Sequence, residues 1–299
     1  MEDYQILGLS LCTYENNEDE IKKSAREFDV TITNVKQYKA GIKDIDSCYI
    51  ADAGDIILLA FRGTTPPSED SIIPWDLLNN FLAEPVEVTG IPGKLHQGFS
   101  NSVNRLWEEG FAEEVTKRLT AGKSLYITGY SKGAALTPIA ASFLDQKTNI
   151  DVSQVKIYIF EPPRPGDAQF KTYFNQRFPT AIRYEYQDDI VPHLPPIEAI
   201  IDLLIEKSEI AEILNKYLGL DEWDYKSVGN LRFVNWEDEI LTGIQAKLEF
   251  VNRLLHLKNL VEEGNIEKMM SDHSPQEHLY PVLSGGKPYP PNAVKVSFH

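Results

Sequence analysis

The stretch Ser124-Leu125-Tyr126-Ile127-Thr128-Gly129-Tyr130-Ser131-Lys132-Gly133-Ala134-Ala135-Leu136 constrains this chain more than any other. An apolar run rich in β-formers enters G-x-S-x-G, and small, helix-compatible residues follow at once. A strand that turns straight into a helix belongs to a layered α/β architecture. Gly129 and Gly133 carry no Cβ, which lets the backbone turn sharply and lifts the Ser131 hydroxyl off the sheet edge, within reach of a base and a substrate. The bare pattern is common by chance, and an isolated match reads best as a glycine loop. Its setting between strand and helix makes Ser131 a candidate nucleophile.

The flanking sequence agrees with that architecture. Asp46–Asp52 and Asp55–Phe61 read as strands joined by Ala53-Gly54, a hairpin signal. Val155–Phe160 and Ala181–Tyr186 read as two more, separated by a helical stretch near 167–177. Glu18–Phe28 reads as a helix. Phe99, Val103, Trp107, Phe111, Val115 and Leu119 recur every four residues and predict one long helix over 97–121 with a core-facing stripe. Strands alternating with helices predict a mostly parallel sheet covered on both faces. From about 197 to 270 the pattern changes. An apolar helical stripe from Ile197 to Tyr217 precedes a short strand, Asn230–Val234, and a second long helix over about 239–263. No Gly/Ser/Pro-rich linker sets this region apart, so 1–299 reads as one α/β domain with a mainly helical insertion.

Charge narrows the range of partners. The net charge is −16 with 25% charged and 42% hydrophobic residues, ordinary for a globular chain with a sizeable core. Phosphates would be repelled, which disfavours nucleic acid and anionic membrane surfaces. The excess carboxylate also serves simply to keep the protein soluble. Met1–Leu9 starts acidic, without a basic segment leading into an apolar one. No run approaches the roughly 18 apolar residues of a spanning helix. For a full-length chain, the expectation is a protein made and kept in the cytoplasm. Cys12 and Cys48 are too few for a disulfide framework and read as reduced thiols, with one bridge left open. No clustered Cys/His spacing calls for a metal, and nothing calls for an organic cofactor.

A serine hydroxyl is a weak nucleophile until a histidine takes its proton, and a carboxylate must hold that histidine in the right tautomer. In folds built on the strand–serine–helix elbow the chain order is serine, acid, histidine. The acids just after the strand Ala181–Tyr186 are Asp188 and Asp189. Beyond them lie His193, His256, His273, His278 and His299. A backbone N–H of the residue after the nucleophile, Lys132, is positioned to meet a developing oxyanion.

Four blocks resemble the class 3 lipases of fungi, plants and bacteria, in order and spacing, over roughly residues 46–196. They are Ala60-Phe61-Arg62-Gly63-Thr64, Leu95-His96-Gln97-Gly98-Phe99, the Gly129–Gly133 elbow, and Asp189-Ile190-Val191-Pro192-His193-Leu194-Pro195-Pro196. A fifth, Phe160–Asp167, looks like the family's F-G-x-P-R-x-G-N. The resemblance implies an α/β-hydrolase fold and hydrolysis of a small-molecule ester or lipid through an acyl-enzyme. It implies Ser131 as nucleophile and Asp189, the acid directly before I-V-P, ahead of Asp188. As base it favours His273, in Ser271-Asp272-His273-Ser274-Pro275 at a helix start, with His278 in His278-Leu279-Tyr280 as the alternative. It supplies Thr64 as the second oxyanion donor beside Lys132. In the family the segment after R-G-T forms a lid; here Ile72, Ile73 and Trp75 are its candidate apolar residues, a plain surface loop being the other reading. His96 and His193 read as packing or hydrogen-bonding residues, His256 as a helix histidine and His299 as a terminus. Glu161 replaces the family's glycine, Tyr130 a common histidine and Lys132 a common leucine. Acyl transfer, phospholipase action, or a lipase-like binding or signalling module without turnover are the competing expectations.

Overall fold

The apolar runs that read as strands pair into one sheet in the computed structural model, which describes residues 1–65, 83–120, 122–195 and 223–296. Helices α1 (Asp3–Leu11) and α2 (Glu18–Glu27) come first. Strands β1 (Thr33–Ala40), β2 (Asp46–Ala53) and β3 (Ile56–Phe61) then form an antiparallel meander. A small antiparallel pair, β4 (Pro85–Glu87) and β5 (Lys94–His96), leads into α3 (Gln97–Glu108) and α4 (Phe111–Arg118). Next come β6 (Ser124–Tyr130), α5 (Lys132–Lys147), β7 (Val155–Phe160), α6 (Ala168–Arg177) and β8 (Ile182–Tyr186). The described chain continues with β9 (Asn230–Val234), β10 (Ile240–Thr242), α7 (Gly243–Glu262), α8 (Ile266–Ser271) and α9 (Leu279–Leu283).

The sheet order is β1-β2-β3-β6-β7-β8-β9-β10. Its centre, β3, β6, β7, β8 and β9, is parallel, and antiparallel strands finish both edges. Central parallel strands are covered on both faces, and so they read as near-continuous apolar runs. Ile56–Phe61 and Ser124–Tyr130 are buried after their first residue. Helix α1 buries Ile6, Leu7, Leu9 and Leu11, and α5 is buried from Gly133 to Leu144. Each large aliphatic side chain so removed from water stabilises by roughly 2 kcal/mol. Cys12 and Cys48 are free and buried, and burial pushes both thiols up, Cys12 to about 12. Among the described residues no helix is long and apolar enough to cross a membrane.

Two predicted helices end differently. The 97–121 segment is two helices, broken at Gly110, which takes φ +93. An apolar residue every fourth position drifts by about 40° per step around a 3.6-residue helix. One straight helix would therefore carry the later residues off the core side. The break resets the phase, and Phe99, Val103, Phe111 and Val115 are all buried, with Trp107 and Leu119 packed against the core. The 239–263 segment starts as β10, antiparallel to β9, before α7 begins at Gly243. The apolar stripe from 197 to 217 lies outside the described residues.

The ladder continues one residue past the strand ends. Ser131 N–H donates to Phe160 O (3.0 Å), Glu161 N–H to Tyr184 O (2.9 Å) and Gln187 N–H to Val234 O (3.0 Å). Residues 131, 161 and 187–189 thus emerge side by side at the carboxyl edge of the parallel sheet, where open α/β sheets place ligands.

Candidate active site

Ser131 joins β6 to α5 with φ +57 and ψ −130. That is a strained conformation for a residue with a side chain, and the elbow holds it by packing. The flanking glycines serve close approach rather than unusual dihedrals. A Cβ on Gly129 would stand 2.7 Å from Ala134 N, and one on Gly133 2.8 Å from Phe61 C. Ser131 is 1% exposed, and among the described residues its hydroxyl makes no hydrogen bond. Contacts between nucleophile and base are commonly loose before substrate binds.

His273 Nδ1 lies 2.8 Å from Asp189 Oδ2, and both side chains are fully buried. Asp189 Oδ1 also accepts the Val191 N–H at 2.9 Å. This contact assigns the Nδ1 proton to His273 and directs Nε2 away from the acid. Tyr130, which directly precedes Ser131, stacks on the His273 ring with centroids 5.0 Å apart and donates its hydroxyl to His273 O. The imidazole therefore sits beside the elbow. His273 follows the C-terminus of α8 instead of opening a helix, because Asp272 N–H returns to Lys268 O and His273 N–H to Met270 O.

The alternatives go elsewhere. Asp188 accepts from Trp236 Nε1 (2.9 Å) and stands 3.8 Å from His256. His278 stacks on Tyr186 and lies 4.0 Å from Asp272 Oδ1; burial holds its pKa below the ordinary value, against the pull of Asp272. His193 is buried behind the acid loop, and burial, with Arg253 and Arg164, keeps it neutral. His96 stacks on Phe99 and its Nδ1 accepts the Phe99 N–H, capping α3. His299 lies outside the described residues.

The acid loop is itself fixed by charge. Arg253, buried on α7, donates to Gln187 O (2.9 Å) and pairs with Glu185, which also takes Arg183 Nε at 2.6 Å. Burial alone would raise Glu185; the two guanidiniums overcome it and hold its carboxyl at about 2.

Lys132 and Gly133 open α5. Among the described residues their N–H groups meet no carbonyl, as expected of a first helical turn. Thr64 follows β3, half-buried, and its carbonyl accepts from Tyr14 Oη at 3.3 Å. A Cβ on Gly63 would lie 3.2 Å from Ser131 Cβ, which places the β3 end against Ser131. Ile72, Ile73 and Trp75 lie outside the described residues.

The Lys132 side chain neither lines an entrance nor points to solvent. Its Nζ is 2.8 Å from Asp46 Oδ1, and Arg105 Nη2 is 2.6 Å from Asp46 Oδ2. Burial alone would raise the Asp46 pKa; Lys132 and Arg105 outweigh it and hold the carboxyl below its usual range. A depressed carboxylate stabilises above its unfolded pKa, and the benefit disappears as pH falls through the folded value. Asp46→Asn is therefore expected to cost about 2 kcal/mol at pH 7. Thermal melts should show the gap from wild type closing toward pH 3; a gap independent of pH would contradict the ion-pair account.

Sequence reasoning noted Glu161 only as a departure, and the structure puts it in the site. Its carboxyl is fully buried, 3.8 Å from His273 Nδ1. Glu161, Asp189 and His273 each present one donor atom within 4.8 Å of the others, a metal-like grouping in which Nδ1 is already engaged by Asp189. A side chain where the resembled F-G-x-P-R-x-G-N pattern has glycine was the available signal.

Residues 58–199 match the family model described as lipase (class 3). The lipase of Rhizomucor miehei is 30% identical over 148 residues, 48% of this chain and 39% of that protein. The secreted mono- and diacylglycerol lipase 1 of Fusarium solani is 27% identical over 176 residues, 56% of this chain and 47% of that protein. The chain thus spans less than half the length of these curated relatives. Among solved structures, the Rhizomucor miehei lipase propeptide complex aligns with TM-score 0.55 at 20% identity, covering 80% of this chain and 68% of that one. That likeness carries the fold, an α/β-hydrolase sheet, while the match to the class 3 lipase family model is confined to residues 58–199, a little under half of the chain.

Proposed function

We propose that the protein is a serine hydrolase that cleaves carboxylic esters, a lipase or esterase acting on a small-molecule ester or lipid. The observation that carries this reading is the His273–Asp189 contact of 2.8 Å, buried beside a serine held at φ +57 on a strand–helix elbow. His273 Nε2 takes the Ser131 proton as Oγ attacks the ester carbonyl. Asp189 holds the imidazole in its Nδ1–H tautomer and stabilises the imidazolium. The N–H groups of Lys132 and Thr64 receive the oxyanion, each worth roughly 3 kcal/mol to the transition state. The imidazolium returns its proton to the leaving alkoxide, and water, deprotonated by the same base, releases the acid from the acyl-enzyme. The class 3 family match and the lipase relatives support this chemistry.

A fluorophosphonate probe tests it directly. Ser131 Oγ should attack phosphorus, fluoride should leave, and the adduct should map to the peptide containing Ser131. An unlabelled, folded protein would instead point to a lipase-like binding module.

A further inference from the structure

We propose that Glu161 is a second carboxyl partner of the His273 imidazole, a positioning residue that shares the Nδ1 side with Asp189 and stands in reserve to it. This deepens the ester-hydrolase reading and rests on it. The backbone supplies the first argument. Glu161 takes φ +50 directly after β7, a region costly for any residue with a Cβ. Its N–H remains in the ladder to Tyr184 O, so the turn delivers the side chain inward at the carboxyl edge. The second argument is the carboxyl itself. It is fully buried, 3.8 Å from Nδ1, and neither oxygen meets a hydrogen-bond partner among the described residues. A surface ion pair or a structural hydrogen bond does not explain a buried acid left in that state.

Two carboxyls this close in a dry site do not both ionise, so they hold one proton between them. Asp189 accepts from His273 Nδ1 and from Val191 N–H, whereas neither Glu161 oxygen meets a hydrogen-bond partner among the described residues. Glu161 keeps the proton. The groups facing it are Tyr130 from β6, Glu185 and Tyr186 from β8, Asp189 from the following loop, Asp272 and His273 beyond α8, and Arg253 from α7. Burial first, then Asp189 and Asp272, push Glu161 well above the ordinary 4.5; Arg253 opposes them but is itself paired with Glu185. Removing the Asp189 charge frees Glu161 to ionise, and closing about 1 Å brings it to hydrogen-bond distance of Nδ1.

The test is a double-mutant cycle on hydrolysis of a nitrophenyl acyl ester, with melts of the same proteins. Without its acid a triad loses about 10⁴-fold in kcat. Asp189→Ala is expected to lose only about 10²-fold, and Asp189→Ala/Glu161→Gln the full 10⁴ or so. The residual activity of Asp189→Ala should rise with the ionisation of one carboxyl, a limb missing from the double variant. Equal factors for Glu161→Gln in both backgrounds, as a merely structural role gives, would overturn the proposal; so would a single Asp189→Ala as dead as the double variant.

The melts read the shared proton without reference to turnover. Below about pH 4.5 Glu161 is protonated in both states. Above it the unfolded chain releases the proton while the folded protein keeps it, so wild-type stability drains as pH rises. The Tm of Glu161→Gln minus that of wild type should therefore grow from pH 5 to pH 8, and a constant difference would remove the shared proton. A wild type that neither labels nor turns over would end the hydrolase reading and the reserve role with it, whatever the melts report.

Discussion

Replacing Ser131 by alanine is expected to lower kcat for a nitrophenyl acyl ester by about 10⁶-fold. Every bond-making step in the proposed cycle passes through Oγ, and the Tyr130 hydroxyl beside His273 is engaged with the His273 carbonyl. The oxyanion donors survive the substitution, since Lys132 N–H belongs to the helix start, so a residual acceleration of about 10³ over water is expected. The fold should hardly notice. Alanine meets the same φ +57 strain that serine already bears, and the lost hydroxyl has no hydrogen bond among the described residues. Melting should shift by the equivalent of under about 0.5 kcal/mol. A folded Ser131→Ala protein that turns ester over at the wild-type rate would remove the serine mechanism, and an unfolded one would leave the fluorophosphonate adduct to decide it.

The parallel centre of the sheet was legible because burial on both faces leaves no room for alternation. Ile56–Phe61 and Ser124–Tyr130, buried after their first residue, announce themselves as strands by their apolar composition. The elbow was legible for a local reason, since its strand, glycines and helix are contiguous. The candidate acid and base were not local. Asp189 and His273 are 84 positions apart, and the sequence offered them through resemblance, with Asp188 and His278 as neighbours of the same chemistry. The resemblance ranked Asp189 ahead of Asp188, and the fold supplies the physical separation, sending Asp188 to Trp236 and Asp189 to the imidazole. Lys132 shows the opposite failure. Its partner Asp46 is 86 positions earlier, and nothing in the local pattern of either residue foretold the pair. The helix break at Gly110 was readable in principle, because a strict four-residue spacing cannot stay on one helical face. Glu161 was visible as a misfit in a glycine position, but its proximity to His273 depends on where β7 and β8 end relative to each other.

Gly133→Ala is expected to be strongly destabilising for a single added methyl, costing about 3 kcal/mol or more. The added Cβ would stand 2.8 Å from Phe61 C and 2.9 Å from Arg62 C, distances that side chains do not tolerate against backbone. Neither side can retreat cheaply. Phe61 ends a central strand paired on both edges, and Arg62 N–H is tied to Ser47 O at 2.9 Å. Gly133 opens a helix buried through Leu144, so the helix cannot slide without lifting that whole face from the core. A Tm loss of roughly 6–12 °C follows for a chain of this size. Gly54→Ala is the control: its φ of +62 charges the usual left-handed strain, about 1 kcal/mol, but its Cβ would meet nothing within 4 Å. Similar losses at the two positions would mean that dihedral freedom alone explains the glycines. A large excess at Gly133 would mean that the contact between helix and strand sets the elbow. That contact also fixes the spacing between Lys132 N–H and the β3 end carrying Thr64, so any Gly133→Ala protein that folds should lose kcat more than it gains KM.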